Sequence, residues 1–235
     1  MKKIFGIIIL ALFATICFSQ ETENEISSKK INIKDEKNKD RLIIGVHNSF
    51  WNGLPGGVNA KSLCQGYNAA LMFDFPTSEN SPISFGLGLG YTSYNLYSNA
   101  TISSNTTSDR TTDFFVIPSG IDYNVNKLKF NYLNIPLELR LRTFYNIRLG
   151  VGLRSSLLVE AHSKYYGHAL DGTDNQLKII NKDISNKEKY LFEITARAGW
   201  KFVSLNGAFS LTKMFTEDKG PQIYPYSVGV SFSIW

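Results

Sequence analysis

The sequence predicts an all-β protein, an eight-stranded antiparallel up-and-down transmembrane β-barrel with long external loops and short periplasmic turns. Three observations predict it. The chain of 235 residues begins with an export signal, continues in eight short segments of alternating apolar and polar residues, and joins them by connections of alternating length. A transmembrane strand carries only about 10 residues of alternating hydrophobicity, so a barrel needs no long apolar run after the signal.

Residues 1–19 are predicted to be a signal peptide. Lys2 and Lys3 precede an apolar run from Ile4 to about Phe18. This run of roughly 15 residues is shorter than the about 20 that a retained transmembrane helix needs. Residues 20–40 are charged and lack aromatic side chains, which predicts a flexible periplasmic lead segment. The barrel domain is therefore predicted to occupy residues 41–235.

Charge and cysteine content narrow the function classes. Cleavage of the signal peptide takes away Lys2 and Lys3, so the formal net charge falls from +5 to +3. So small a balance, without a dense cluster of lysine and arginine along the chain, does not favour a nucleic-acid partner. Cys64 is the only cysteine after the signal, so no intramolecular disulfide is predicted.

The eight segments follow one another from Arg41 to the C-terminus. They are residues 41–51, 66–75, 82–97, 128–143, 144–160, 188–201, 202–215 and 223–235. The first, third, fifth and seventh connections are long, whereas the second, fourth and sixth are short. A meander places all odd connections at one end of a barrel and all even ones at the other. Long loops opposite short turns are typical of outer-membrane barrels.

The fourth segment shows the alternation most clearly. Every odd position in residues 133–141 is leucine or isoleucine, whereas Glu138, Arg140 and Arg142 occupy even positions. A buried, unpaired charge costs several kcal/mol, which excludes an ordinary soluble core around this segment. A small barrel in lipid explains both faces, because it turns the apolar face outward and the polar face into the lumen.

The charged residues of the polar faces are predicted to meet in the lumen as a network of ion pairs. The eight members are Asp74, Glu138, Arg140, Arg148, Arg154, Glu160, Glu193 and Arg197. The interior of an eight-stranded barrel is only wide enough to be filled by side chains, and the planar fork of arginine can satisfy several acceptors there. Gly86, Gly88, Gly90, Gly150 and Gly152 are expected to make room for the arginines. The sequence thus predicts a filled lumen and no channel.

Aromatic residues lie near both ends of the segments, as in the interfacial girdles of membrane barrels. Phe75, Phe144, Tyr145, Trp200, Phe202 and Trp235 lie beside short turns or the C-terminus, and Phe50, Trp51, Tyr94, Tyr97, Phe130, Tyr190, Phe215, Tyr224 and Tyr226 lie beside long loops. Residues 113–123, DFFVIPSGIDY, are more apolar than a free loop. They are expected to extend the neighbouring strands as a hairpin or to fold over the barrel mouth.

Two stretches resemble a known family. NYLNIPLELRLR at residues 131–142 resembles the YLEIPLLLK signature strand of the PorT-like outer-membrane β-barrels of Bacteroidota, and the C-terminal SVGVSFSIW resembles their closing strand. The resemblance covers about residues 41–235 and implies a small eight-stranded barrel that the barrel-assembly machinery inserts into a bacterial outer membrane. The founding member is needed for a protein-secretion pathway, so the resemblance also implies secretion-system components as partners.

The predicted function is that of an integral outer-membrane protein without catalysis, with a structural, adhesive or secretion-accessory role through its external loops. Outer-membrane lipid and lipopolysaccharide are expected to contact it, and no catalytic residue, cofactor or metal ion is predicted. One alternative is a soluble, lipocalin-like periplasmic barrel with an apolar ligand inside its aliphatic face. Another is a lipid A modifying enzyme using Ser155, Ser156, Glu160 and His162, which would have to lie within hydrogen-bond reach.

Overall fold

The computed structural model describes residues 42–78, 81–104, 111–143, 147–170, 173 and 175–234. The predicted signal peptide and lead segment lie outside these residues. Eleven β-strands are described: β1 (Leu42–Asn52), β2 (Gln65–Pro76), β3 (Ile83–Tyr97), β4 (Ala100–Ser104), β5 (Thr112–Val116), β6 (Tyr123–Arg142), β7 (Ile147–His168), β8 (Gln176–Asn181), β9 (Tyr190–Trp200), β10 (Val203–Ser210) and β11 (Tyr224–Ile234). Within the described ranges, no helix is long and apolar enough to cross a membrane.

Eight of these strands close into a barrel. In chain order they are β1, β2, β3, β6, β7, β9, β10 and β11, and each pairs antiparallel with the next. β1 pairs with β11 along its whole length, from Leu42 opposite Ile234 to Asn52 opposite Tyr224, which closes the cylinder. This up-and-down topology confirms the predicted fold class. Closure pairs both edges of every barrel strand, as hydrocarbon requires.

The apolar side chains of the barrel strands point outward and the polar ones point into the lumen, as the alternation predicts. Lipid-facing side chains are exposed on the isolated chain, for example Leu89 at 65% and Val151 at 59%. Their polar sequence neighbours are enclosed, with Arg140 at 4% and Glu193 at 1% exposure. The lipocalin-like alternative is therefore wrong, because the aliphatic side chains point away from the lumen.

The apolar outer surface forms a band of membrane dimensions. On β6 its outward positions run from Leu133 to Leu141, eight residues further along the strand. At about 3.4 Å per residue and a tilt of about 40°, they cover roughly 21 Å along the membrane normal. Aromatic side chains beyond each end bring this close to the about 25 Å band of outer-membrane barrels.

Part of the sheet continues beyond the band on the long-loop side. β6 begins at Tyr123, five residues before the predicted segment, and β7 ends at His168, eight residues after it. β8 pairs with this extension of β7, from Ser163 opposite Asn181 to His168 opposite Gln176. The external parts of β6 and β7 therefore form a sheet with β8, which we call the protruding sheet.

Residues 113–123 contribute to a hairpin near the barrel mouth. β5 pairs antiparallel with β4 as a separate two-stranded sheet. The amide of Ile117 donates to the carbonyl of Asn99 at 2.9 Å, and that of Thr112 donates to Lys219 in the β10–β11 loop at 2.9 Å. Ile117 is buried. The segment is thus both a hairpin and a part of the cover over the mouth.

A β-bulge in β7 changes which residues face the lumen. Tyr132 pairs with Leu158, but the preceding Asn131 pairs with Glu160, so Val159 is the extra residue. Beyond it, Ala161 is buried inside and Glu160 lies on the outer face. The prediction that Glu160 belongs to the lumen network is therefore wrong, because uninterrupted alternation through β7 was assumed.

We expect a charge in the apolar band to be costly. Leu137→Arg, at the middle of the band, should lower the free energy of unfolding by about 2–4 kcal/mol, because the guanidinium would face hydrocarbon. Leu63→Arg, in the exposed β1–β2 loop, should change it by less than about 0.5 kcal/mol. Urea unfolding in lipid vesicles, followed by tryptophan fluorescence, measures both. Equal effects of the two substitutions would contradict the lipid-facing assignment.

Candidate functional site

The lumen near the short turns holds a chain of ion pairs. Asp74 on β2 accepts hydrogen bonds from Arg140 and Arg142 of β6. Glu138 Oε2 accepts from Arg140 Nε at 2.9 Å and from Arg197 Nη2 of β9 at 2.8 Å. Three strands are tied together by five side chains, since the two acids alternate with the three arginines. Hydrogen bonds to charged partners are the strong ones, and here they pair charges that are largely enclosed, except that of Arg142, whose side chain is 31% exposed.

A second ionic cluster lies closer to the external end. Arg154 of β7 donates to Glu193 of β9 through Nε at 2.7 Å and Nη2 at 2.9 Å. Its Nη2 also donates to the hydroxyl of Tyr94 at 2.8 Å, and this hydroxyl donates to Glu193. Ser156 Oγ lies 3.5 Å from Glu193 Oε2. The bidentate fork and the tyrosine leave Glu193 well satisfied although it is almost fully enclosed.

Seven of the eight predicted network residues line the lumen. Six of them form the ion pairs above, and Arg148 lies with Arg140, Arg142 and Arg197 around a small space of about 10 Å³. Glu160 is absent from the lumen because of the bulge. Sequence reasoning missed two participants, Arg142 and Tyr94. The continued alternation of β6 could have found Arg142, whereas Tyr94 could not be told from a girdle tyrosine.

The lumen contains a cavity of about 60 Å³ between the two clusters. Its polar lining includes His47, Asn68 and Asn206 together with Glu138 and Arg197. A space of this size accommodates only a few water molecules. The interior is therefore largely filled by side chains, as the strand number requires.

An apolar cluster fills the barrel above the ionic clusters, and we call it the apolar cap. Its buried members are Trp51, Cys64, Tyr94, Leu96, Ile102, Leu128, Phe130, Tyr132, Ala161, Ile184, Leu191, Met214, Phe215 and Ile223. The rings of Phe130 and Phe215 meet edge to face with centroids 5.9 Å apart, and those of Tyr94 and Tyr132 at 6.2 Å. Loop residues such as Ile184 and Met214 join strand residues in it, so the loops cover the mouth.

The apolar cap corrects part of the predicted girdle. Trp51, Tyr94, Phe130 and Phe215 are inside the barrel and do not contact lipid. Trp51, Tyr94 and Phe130 share the lumen phase of their strands, whereas Phe215 lies in the β10–β11 loop. Loop residues supply the apolar partners that bury them. Phe50, the neighbour of Trp51, does lie outside and stacks on Tyr226 with centroids 5.0 Å apart.

Other aromatic residues do form outward-facing groups. At the short-turn end, Phe75, Trp200 and Phe202 are exposed, and at the long-loop end so is Tyr190. Tyr97 and Tyr224 are half-buried. Phe144, Tyr145 and Trp235 lie outside the described residues. Lipid-facing aromatics at both edges of the apolar band are typical of membrane barrels.

The residues of the enzyme alternative are not brought together. Glu160 Oε1 lies 3.3 Å from His162 Nδ1, on the outer face. Ser156 points inward to Glu193 instead. Ser155 lies on the outer face, but six strand positions separate it from His162, about 20 Å along the strand. No three His, Cys, Asp or Glu side chains gather into a potential metal site in the part of the chain that the structure describes.

The lumen glycines differ in what they accommodate. A Cβ at Gly86 would lie 2.7 Å from Arg140 Nε, so this glycine does make room for an arginine. At Gly152 a Cβ would lie 2.2 Å from the carbonyl oxygen of Leu137, so the limit there is the neighbouring backbone. At Gly150 the nearest atom is Glu138 Oε2 at 3.7 Å, which leaves space.

The chain was compared with families of known proteins and with solved structures, and the family match agrees with this architecture. The sequence matches the family described as "Outer membrane protein beta-barrel domain" over residues 19–216, which include seven of the eight barrel strands. Two crystal structures of Ail, the attachment invasion locus protein of Yersinia pestis, are similar. The complex with the heparin analogue sucrose octasulfate has 10% identity and a TM-score of 0.39, and the other structure 11% and 0.37. Each comparison covers 82% of this chain and 96% of Ail. None of the curated proteins compared with this chain matches it.

The Arg154–Glu193 pair yields a stability test. Arg154→Met should lower the free energy of unfolding by about 3–5 kcal/mol, because Glu193 would keep an uncompensated charge in the lumen. Arg154→Met combined with Glu193→Gln should recover most of this loss. Lys213→Met, which removes the exposed pair with Glu217, should cost no more than about 1 kcal/mol. Chemical unfolding in detergent micelles compares the three. A double variant no more stable than Arg154→Met would contradict the paired-charge account.

Two glycines on the same face of β7 should respond oppositely to alanine. Gly152→Ala should lower the free energy of unfolding by about 1–3 kcal/mol, because the methyl group meets a backbone oxygen that cannot move freely. Gly150→Ala should raise it by up to about 1 kcal/mol, because the site has room and alanine loses less conformational entropy. Thermal unfolding monitored by the gel shift of the heated barrel measures both. A larger loss at Gly150 would show that the lumen packing differs from the structure.

Proposed function

The chain belongs to the outer membrane protein β-barrel domain family, and from this premise we propose that it binds another protein through its external sheet, without catalysis, as an adhesive or secretion-accessory component of the outer membrane. The outer membrane is where its lipid-facing band places it. The filled lumen leaves the external surface as the part that other molecules reach.

The observation that carries the proposal is the edge strand β8. Of the strands described, it pairs with β7 alone, so its second edge offers backbone N–H and C=O groups to a further strand. Its side chains are almost all exposed, including Leu177 at 40% and Ile180 at 49%. Proteins usually protect such an edge, because an exposed apolar edge strand pairs readily with other chains.

Addition of an extended peptide to a sheet edge is a recurrent mode of recognition. Main-chain hydrogen bonds supply affinity, and alternate side chains supply specificity. On β8, Leu177 and Ile179 lie on one face, while Lys178 and Ile180 lie on the other. A partner segment of extended, mainly apolar residues fits this edge, and β7 and β6 hold β8 rigidly above the membrane.

A secretion role would agree with the resemblance of residues 131–142 to PorT-like barrels, and membership of that branch is part of the proposal. We also propose that the barrel-assembly machinery inserts this chain. The C-terminal strand β11 would be recognised through its apolar outer face, which includes Val228, Val230 and Phe232.

A complementation experiment tests the proposal. We expect a deletion strain to lose secretion of extracellular protein or attachment to surfaces, and the wild-type gene to restore it. The variant Leu177→Lys/Ile179→Lys should assemble in equal amount but fail to restore it, because charges block strand addition. Lys213→Gln in the β10–β11 loop is the matched control and should restore it fully.

Three outcomes would contradict the proposal. Full complementation by the β8 variant would exclude the edge as the binding surface. A deletion strain with normal secretion and attachment would exclude both roles. A changed lipid A composition in that strain, restored by wild type and not by His162→Ala, would favour the enzyme alternative instead.

A further inference from the structure

A group of basic residues lies on the outer face of the protruding sheet, directly above the apolar band. Its members are Lys127, Lys129, His162, Lys164 and Lys178 on the paired strands, together with Lys182 just after β8, whose charge acts on Glu160, and we call it the basic collar. They come from β6, β7 and the region of β8. These segments are separate in the sequence, and strand pairing brings them side by side. The collar is therefore a product of strand register and not of a charge run in the sequence.

The register places two lysines directly opposite each other. Lys127 pairs with Lys164 across β6 and β7, and Lys129 pairs with the imidazole of His162. Like charges in directly opposed positions destabilise a sheet. The collar thus concentrates positive charge that the sheet itself does not neutralise.

Acidic residues compensate the collar only in part. Glu160 lies on the same face, where it accepts a hydrogen bond from Asn131 at 2.9 Å and lies 3.3 Å from His162. The charges of Lys182 and Lys129 also act on it. Among the ion pairs of the described residues, none involves Lys127, Lys164 or Lys178.

Lys129 lies at the level of the lipid headgroup layer, and the Lys127–Lys164 pair lies two residues, about 5 Å, above it. Lys129 lies four residues before Leu133, the outward leucine of β6 nearest the external end, and so lies about 10 Å above it along the membrane normal. Its Nζ contacts the hydroxyl of Tyr67 at 3.1 Å, and the Tyr67 ring stacks on that of Tyr91. Tyrosines of this kind mark the membrane–water interface, beyond which the headgroup layer extends about 5–7 Å.

We propose that the basic collar binds the phosphate groups of the outer-leaflet glycolipid, lipopolysaccharide. A phosphate between Lys127 and Lys164 replaces their mutual repulsion by two charge-assisted contacts, and lysine binds phosphate as a compact point charge. The lipid's acyl chains would lie along the outward leucines of β6 and β7 below. This inference does not depend on the edge-strand function, since the collar faces lipid and the β8 edge faces the partner.

Stability with and without the lipid tests the collar. The mature chain is refolded in lipopolysaccharide-free detergent, alone or with lipopolysaccharide that carries its lipid A phosphates. Lys127→Gln/Lys164→Gln should unfold at the same or a higher temperature than wild type without lipid, because repulsion is removed. With lipid, wild type should gain clearly more than this variant, since binding to the folded state alone stabilises it. Lys213→Gln/Lys219→Gln, in the β10–β11 loop, should gain as much as wild type.

Further arms distinguish the source of the phosphate. Native mass spectrometry should show lipid retained by wild type at least about tenfold more than by the collar variant, the difference expected from about 1.4 kcal/mol. Phosphatase-treated lipopolysaccharide should be retained no better by wild type than by the variant. Inorganic pyrophosphate at millimolar concentration should not reproduce the stabilisation, because it lacks the acyl chains.

Four results would overturn the proposal. Equal lipid retention by wild type and the collar variant would remove the site. Equal retention of phosphorylated and dephosphorylated lipid would remove the phosphate. Full stabilisation by pyrophosphate would assign the collar to free anions. Lipid retention unaffected by the collar variant, with loss of binding to an acidic peptide, would assign it to a protein partner.

Discussion

The structure depends on pairing charges that lipid and protein enclose together. Arginines and carboxylates in the lumen cannot be solvated freely, and each left alone would cost several kcal/mol. Arg140 and Arg197 both donate to Glu138, and Arg154 donates to Glu193 through both Nε and Nη2. Because the Arg197–Glu138 and Arg154–Glu193 pairs each join different strands, the pairing also fixes strand register around the cylinder. The lipid-facing leucines and the ionic interior are two consequences of one alternation along each strand.

The interior changes character with its distance from the membrane. In the lower barrel, hydrocarbon surrounds the wall, and the lumen is ionic. Toward the external end the wall emerges into water, and the lumen becomes the apolar cap, as in an ordinary soluble domain. Tyr94 joins the two layers, since its ring packs against Trp51 and Tyr132 while its hydroxyl bonds to Glu193. The cap holds the loops down, which gives the protruding sheet a rigid base.

Local alternation predicted much of this architecture, and non-local contacts account for what it missed. The sequence of residues 133–142 is enough to predict the two faces of β6, because odd positions are apolar and face lipid whereas even positions face the lumen. The bulge at Val159 inverted the parity of β7 beyond it and moved Glu160 outward, and nothing in the local pattern marks it. The sequence predicts girdle positions for Trp51 and Phe130, because the loops that bury them are distant in sequence. The basic collar could not be predicted from the sequence, because only the register of β6 against β7 places Lys127 opposite Lys164.

The most direct measurement of the central claim is the contact between side-chain methyl groups and lipid. In nanodiscs, NMR cross-peaks to acyl-chain protons, and broadening by a paramagnetic label in the acyl chain, can be read for Leu139, Val151 and Met72. The account predicts both effects at Leu139 and Val151, and neither at Met72, which the lumen encloses at 2% exposure. Lipid contact at Met72, with Leu139 and Val151 shielded, would contradict the orientation of the two faces.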